Sequence, residues 1–445
     1  MFDYRAAGID TGYEIMLALR EGQTPVLHLS QSKEGKRREW LSALMEQKPA
    51  EDGAIRVVDL VSDGESKTQV AACAVLTSIN TPDFRYEYED ASASEERDRI
   101  MVELAQGKGP DLLFVSLEDM YLLEEKGLLL DIGELIPGEL KEELLPGALE
   151  IGAVNERLPG VPVAVRADTF AVSTGTWPAD TWKLEDVINL MDEGKLTGAI
   201  RMMMSKYTEP SLTVLVLVKR SLHNSFLIDW ESRKCHFDDE RFIRLLELTG
   251  TDLKNTPPDP EVWLNDGKDI LWGSLNIEAD FLDFFAHMEA EGGNIVGYPT
   301  EEGCGSYLVA EGGVLVVNAN IAQKEAAACF LETLLEKELQ SKTSVLCMSV
   351  RKLNPEDYIV EEESGRLVYM GGINAPEVPV FDDGSTALHR AKAFLESCVA
   401  PPPEYSQISK IIAEELHIMH AENRSPKDTA DFINSRVQVY LDEGN

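Results

Sequence analysis

The chain has 445 residues and a mass of 49.4 kDa, enough for two large domains or three ordinary ones and for a core without disulfide staples. Lys and Arg number 41 against 79 Asp and Glu, a net charge of −38. Such a surface repels phosphate and anionic lipid, which argues against nucleic acid as the main partner and against a basic membrane-docking face. The longest apolar stretch, near 212–218, is far short of the roughly 20 residues a membrane-spanning helix needs.

Taken in chain order, residues 1–53 read as the tail of an upstream module, with strands expected at 13–19 and 25–29 and a short helix near 40–45. A regular alternation then begins. IRVVDLV (55–61) is a strand candidate, and 67–80 has helical spacing through Val70, Ala74 and Ser78. Residues 84–88 alternate as a strand, 94–105 form an acidic amphipathic helix, and DLLFV (111–115) is a short apolar run of the buried-strand type. A helix over 117–126 stops at Gly127. Strands and helices in this rhythm predict a parallel sheet with helical crossovers.

LPGVPVAVRADTFAVSTGTW (158–177) breaks the rhythm with two extended pieces in succession. Helices are predicted at 184–191 and 209–222, then one capped by Asp238. Strand candidates at 269–275, 294–298 and 315–317 and helices at 278–288 and 322–339 follow. Three helices close the chain, at 386–398, 405–420 and 426–441, the last opening on Ser425 and Pro426.

Catalytic signatures are missing: no Walker phosphate loop, no G-x-G-x-x-G after a strand, no G-x-S-x-G and no H-E-x-x-H. The six cysteines form no C-x-x-C and read as buried apolar residues, with a Cys304–Cys329 bridge left open. His417 and His420 stand three apart on a helix beside Glu414 and Glu415, a metal-binding spacing that reads rather as a solvated polar face. No cofactor and no metal are expected. Trp177, Trp230 and Trp272 offer flat apolar rings of the kind that stack on sugar faces, and core packing is the plainer use of each. Arg166 is alone in an apolar run, either paired to Asp168 or another acid or turned toward a ligand.

Four ordered segments carry a family resemblance. They are GKGPDLLFVSLEDMYLLEEKGLLLDI (107–132), the 158–177 stretch, VGYPTEEGCGSYLV (296–309) with NANIAQKEAAACFLETLLEKELQ (318–340), and the C-terminal SPKDTADFINSRVQVYLDE. Together, over about 54–445, they resemble the bacterial extracellular solute-binding proteins of ABC importers, family 1, in the sugar-binding branch like maltose-binding protein. The resemblance implies an α/β, two-lobed, type II periplasmic-binding-protein-like fold with discontinuous lobes. Lobe one would hold 54–166 and 306–350, and lobe two 167–305 and 351–445.

By the same resemblance, ligand contacts fall on Val115, Ser116, Glu118 and Asp119 after the GPDLLF strand, on Asp63 and Glu65 after the first strand, and on Arg166, with Trp177, Trp230 and Trp272 as ring candidates. Relatives often place an aromatic at the position of Val115 and an acid at that of Arg166. The implied protein is a monomeric, extracytoplasmic lipoprotein without enzymatic activity. It would capture a small carbohydrate by hinge motion and deliver it to an ABC permease in the membrane, with no nucleic acid partner. A cell-surface glycan hydrolase and a ligand-free surface scaffold on the same fold stand as alternatives.

Overall fold

A computed structural model describes residues 14–15, 29–30 and 54–443, except for 62–68, 203–209, 251–267, 276–280, 341–347, 354–357, 362–365, 370–383 and a few shorter stretches. The chain divides into two compact units. The first takes its residues from Met1–Arg166, Leu275–Leu282 and Leu308–Glu396, the second from Ala167–Ser274, Asp283–Tyr307 and Ser397–Asn445. Near the start, Glu14–Ile15 pairs antiparallel with Leu29–Ser30, and the other residues of the elements expected before 54 lie outside the described ones.

The first unit is organised on a five-stranded sheet in the order Tyr86–Asp90, Ile55–Asp59, Leu112–Val115, Val314–Val317, Gly160–Pro162. The first three strands are parallel, and Val314–Val317 is inserted antiparallel between its two neighbours. Val57, Val58, Leu112 to Val115 and Val314 to Val317 are all fully buried. This is the near-continuous apolar run of a sheet covered on both faces, and it explains why these segments show no polar alternation. Tyr86–Asp90 lies two residues later than expected, because Tyr86 is the residue in register with Ile55.

Helices of this unit end where local chemistry dictates. Ser116 caps Leu117–Glu125, its hydroxyl accepting the Asp119 N–H at 3.1 Å and donating to Asp119 Oδ2 at 2.8 Å. At the other end Gly127 takes φ +67°, which costs glycine nothing. The Gly127 and Leu128 N–H groups then return to the Glu124 and Leu123 carbonyls, closing a Schellman motif. The helix expected over 322–339 spans Lys324–Leu335, because Glu336 turns extended at ψ 146°.

The second unit carries a five-stranded mixed sheet, ordered Gly293–Ile295, Val165–Ser173, Ile270–Leu275, Ile200–Met202, with Tyr307–Ala310 also paired to Val165–Ser173. Helices Leu184–Asp192, Pro210–Lys219 and Glu240–Thr249 and the C-terminal pair Ser406–Glu422 and Pro426–Asp442 belong to it. The last helix is capped as expected: the Ser425 hydroxyl accepts from Asp428 N–H and Pro426 takes the first turn.

The cap of Glu240–Thr249 is Asp239, one residue beyond the expected Asp238, because the Asp239 carboxylate reaches the Arg241 N–H at 2.8 Å. The Arg241 guanidinium also binds this carboxylate and holds it below its ordinary pKa. A depressed native pKa means that Asp239 contributes stability above the unfolded-state value and loses it as pH falls through the lower native one. Asp239→Asn is therefore expected to flatten the acid side of a melting-temperature-versus-pH profile, and Asp239→Ala to cost about 1 kcal/mol at neutral pH.

Candidate functional site

In the first unit, Asp59 and Val115 stand at the carboxyl ends of two adjacent parallel strands, where loops of α/β sheets commonly hold ligands. Asp59 is fully buried. Its Oδ1 accepts the Val61 N–H at 2.8 Å and its Oδ2 accepts the Tyr88 hydroxyl at 2.8 Å. Burial, followed by the charge of Asp59, pushes the Tyr88 phenol far above its ordinary pKa, so it stays a donor at neutral pH. Asp63 and Glu65 lie outside the described residues.

The loop after Val115 has a defined polar shape. Val115 itself is fully buried, so its side chain belongs to the core and not to a stacking platform. Ser116 is half-buried at the helix N-terminus, and Glu118 is exposed within the first turn. Asp119 is 5% exposed. It is held by Ser116 and by Arg97 Nη2 at 2.5 Å. The loop packs against Gly313: a Cβ at that glycine would stand 2.4 Å from the Val115 carbonyl oxygen and 3.0 Å from Val61 Cγ2. Only a residue without a side chain lets Val314 enter its register opposite Val115.

Arg166 is paired with an acid, as its isolation required, but that acid is Glu311, with Nη1 to Oε2 at 3.2 Å. Asp168 is committed elsewhere, to Arg220 in the second unit at 3.1 Å. The Arg166 side chain keeps 31% of its surface. Glu311 thus orients the guanidinium of a side chain that remains in contact with solvent.

In the second unit the three tryptophans are half-buried, and each ring nitrogen has a partner of its own. Trp177 Nε1 donates to the Thr181 carbonyl, Trp230 Nε1 to the Leu222 carbonyl, and Trp272 Nε1 to the Tyr298 hydroxyl, each at 2.9 Å. Trp272 sits in an aromatic group: the Tyr298 ring packs on Phe170 at 4.6 Å and on Tyr307 at 5.6 Å between centroids. Burial, then the charge of Asp168, keeps Tyr298 protonated. The Trp177 and Trp230 ring nitrogens are anchored to carbonyls four and eight residues away.

Sequence reasoning missed the polar groups that fix these residues. Arg97, Tyr88, Arg220 and Tyr298 carry no local signal, because each meets its partner across a long sequence separation. The helix bearing His417 and His420 directs Glu414 and Glu415 to Arg436, and Glu415 also to Arg424. No group of metal-ligating residues occurs among the described residues. Cys329 is in no disulfide, which removes the Cys304–Cys329 bridge. Among the described residues no helix is long and apolar enough to cross a membrane.

No protein-family model matches the sequence, and no curated protein matches it. Solved structures do. An extracellular solute-binding protein of family 1 from Alicyclobacillus acidocaldarius matches with a TM-score of 0.56 at 12% identity, over 88% of this chain and 100% of its own. The sugar-binding protein MalE of Xanthomonas citri matches at 0.53 and 14% identity, over 88% and 98%. An ABC substrate-binding protein of Listeria monocytogenes, solved with cycloalternan, matches at 0.50 and 12% identity, over 87% and 98%. The mixed α/β fold expected from the sequence is thus the fold observed, shared with periplasmic-type solute-binding proteins over nearly the whole chain.

Proposed function

We propose that this protein is an extracytoplasmic receptor that captures a sugar or oligosaccharide and hands it, unaltered, to an ABC permease. The observation that carries the reading is the fold, shared over 88% of the chain with solute-binding proteins that include a sugar-binding one. The contacts proposed for the ligand are Ser116, Glu118, Asp119 and Arg166 in the first unit, and the rings of Trp272, Trp230 and Trp177 in the second. Carboxylate, hydroxyl and guanidinium groups held by neighbours suit the hydroxyls of a neutral sugar, and half-exposed indoles suit its apolar face. A polyanion is disfavoured by the net charge of −38.

Calorimetric titration with a panel of neutral mono- and oligosaccharides is expected to give saturable binding. Trp272→Ala should weaken it about tenfold or more, on the scale of a buried aromatic contact. Trp272→Phe, which keeps a smaller aromatic face and loses the bond to Tyr298, should retain most of the affinity. Silence across the panel, with binding to peptides or polyamines, would remove the sugar reading. Release of product from chromogenic glycosides would replace capture by hydrolysis.

A further inference from the structure

The chain passes between its two units at 166/167, 274/275, 282/283, 307/308 and 396/397. Just inside the second unit, the chain at four of these points is joined to one buried polar group. Asp168 lies two residues past the first passage, and Ser274 is the last residue before the second. Ser306 and Tyr307 end the unit before the fourth, and Val399 follows the fifth. Arg220, directly after the Pro210–Lys219 helix, pairs with Asp168 Oδ2 at 3.1 Å, and the two side chains are only 4% and 3% exposed. Its guanidinium also stands over the Tyr307 ring, 5.9 Å from the centroid.

The remaining links are equally local. Ser274 Oγ donates to Asp168 Oδ1 at 3.0 Å. The hydroxyls of Thr169 and Ser306 are 2.8 Å apart. Val399 forms a bridge to Tyr307 and donates its N–H to the Ser306 carbonyl at 3.4 Å.

We infer that Arg220 is the keystone of a single cooperative anchor by which the second unit holds the roots of four of its five connections to the first. A buried charge pair whose spare acceptor is taken by a hydroxyl is costly to break, because either charge left alone is stranded in a poorly solvating interior. Four roots that share such a pair open together or not at all. Bending along these connections is therefore displaced away from Asp168, Ser274, Ser306 and Tyr307.

Native-state hydrogen exchange of the full chain, read by mass spectrometry, tests it. In Arg220→Met, amides in peptides covering 167–172, 270–275, 306–308 and 399–400 should exchange faster together, on the order of a hundredfold, which is the scale of a broken buried ion pair. Those of 55–59, 112–115 and 314–317 should keep their wild-type rates. Ser274→Ala is the mild variant in case Arg220→Met does not fold, and should accelerate the same four segments several-fold. Acceleration confined to the segment bearing the substitution, or spread equally over the strands of the first unit, would overturn the shared anchor.

Discussion

Phe330→Ala is expected to lower the free energy of unfolding of the first unit by about 3–5 kcal/mol, the range for deleting a buried aromatic ring. Phe330 is fully buried in the Lys324–Leu335 helix. It packs 5.5 Å from the Tyr86 ring, on the first strand of the sheet by position. Around it the fit is fixed by polar contacts: Tyr86 donates its hydroxyl to the Ala326 carbonyl at 2.6 Å, and Cys73 donates its thiol to the Phe330 carbonyl at 3.5 Å. Burial pushes both the phenol and the thiol above their ordinary pKa values, so both stay donors. Neighbours tied in this way relax little into the space left by the ring, which places the cost toward the upper end.

Urea denaturation followed by far-ultraviolet circular dichroism measures this cost. Five of the six tryptophans fall between 177 and 272, within the second unit's share of the chain, so indole fluorescence mainly reports that unit. A fluorescence transition that stays in place while the dichroism transition moves earlier would show the loss confined to the first unit. Val102→Ala, at a side chain 56% exposed, is the control and should change stability by less than about 0.5 kcal/mol.

Gly313→Ala should cost about 2–4 kcal/mol, in the upper range for point substitutions, because an overpacked site must move backbone rather than a side chain. The new methyl would meet the Val115 carbonyl at 2.4 Å. Relief requires Val314 to draw back from Val115, and with it the start of the Ser116–Asp119 loop. The expected result is therefore double: a lower denaturation midpoint, and affinity for the proposed ligand reduced further than global unfolding accounts for. A variant destabilised with unchanged affinity would place the ligand contacts away from this loop.

Much of the first unit was legible because its signals are local. The apolar runs of 55–59, 112–115 and 314–317, the Ser116 cap and the Gly127 stop each declare themselves within a few residues. The break in rhythm at 158–177 is real as well: Gly160–Pro162 and Val165–Ser173 follow one another with no helix between. What escaped was short or remote. Ile200–Met202 has three residues and no alternation to count. The hairpin Tyr358–Glu361 with Arg366–Tyr369 lies in a stretch where no element was predicted, its strands only four residues long. The partner of Arg166 is 145 residues away and that of Asp168 is 52, so nothing nearby could choose the opposite charge that either would meet.

The placement of Val314–Val317 has a consequence for how the molecule comes into being. Leu112–Val115 and Gly160–Pro162 never touch each other as neighbours; each zips onto a segment that emerges from the ribosome about 150 residues after the second of them. At ordinary elongation rates that leaves roughly 8–30 s during which two apolar ribbons are complete but lack the piece that joins them. Closing so long a loop is slow as well as late. The nascent protein is thus most prone to sticking to its own kind midway through translation, and a chaperone that shields bare strand edges would have its work concentrated in that window.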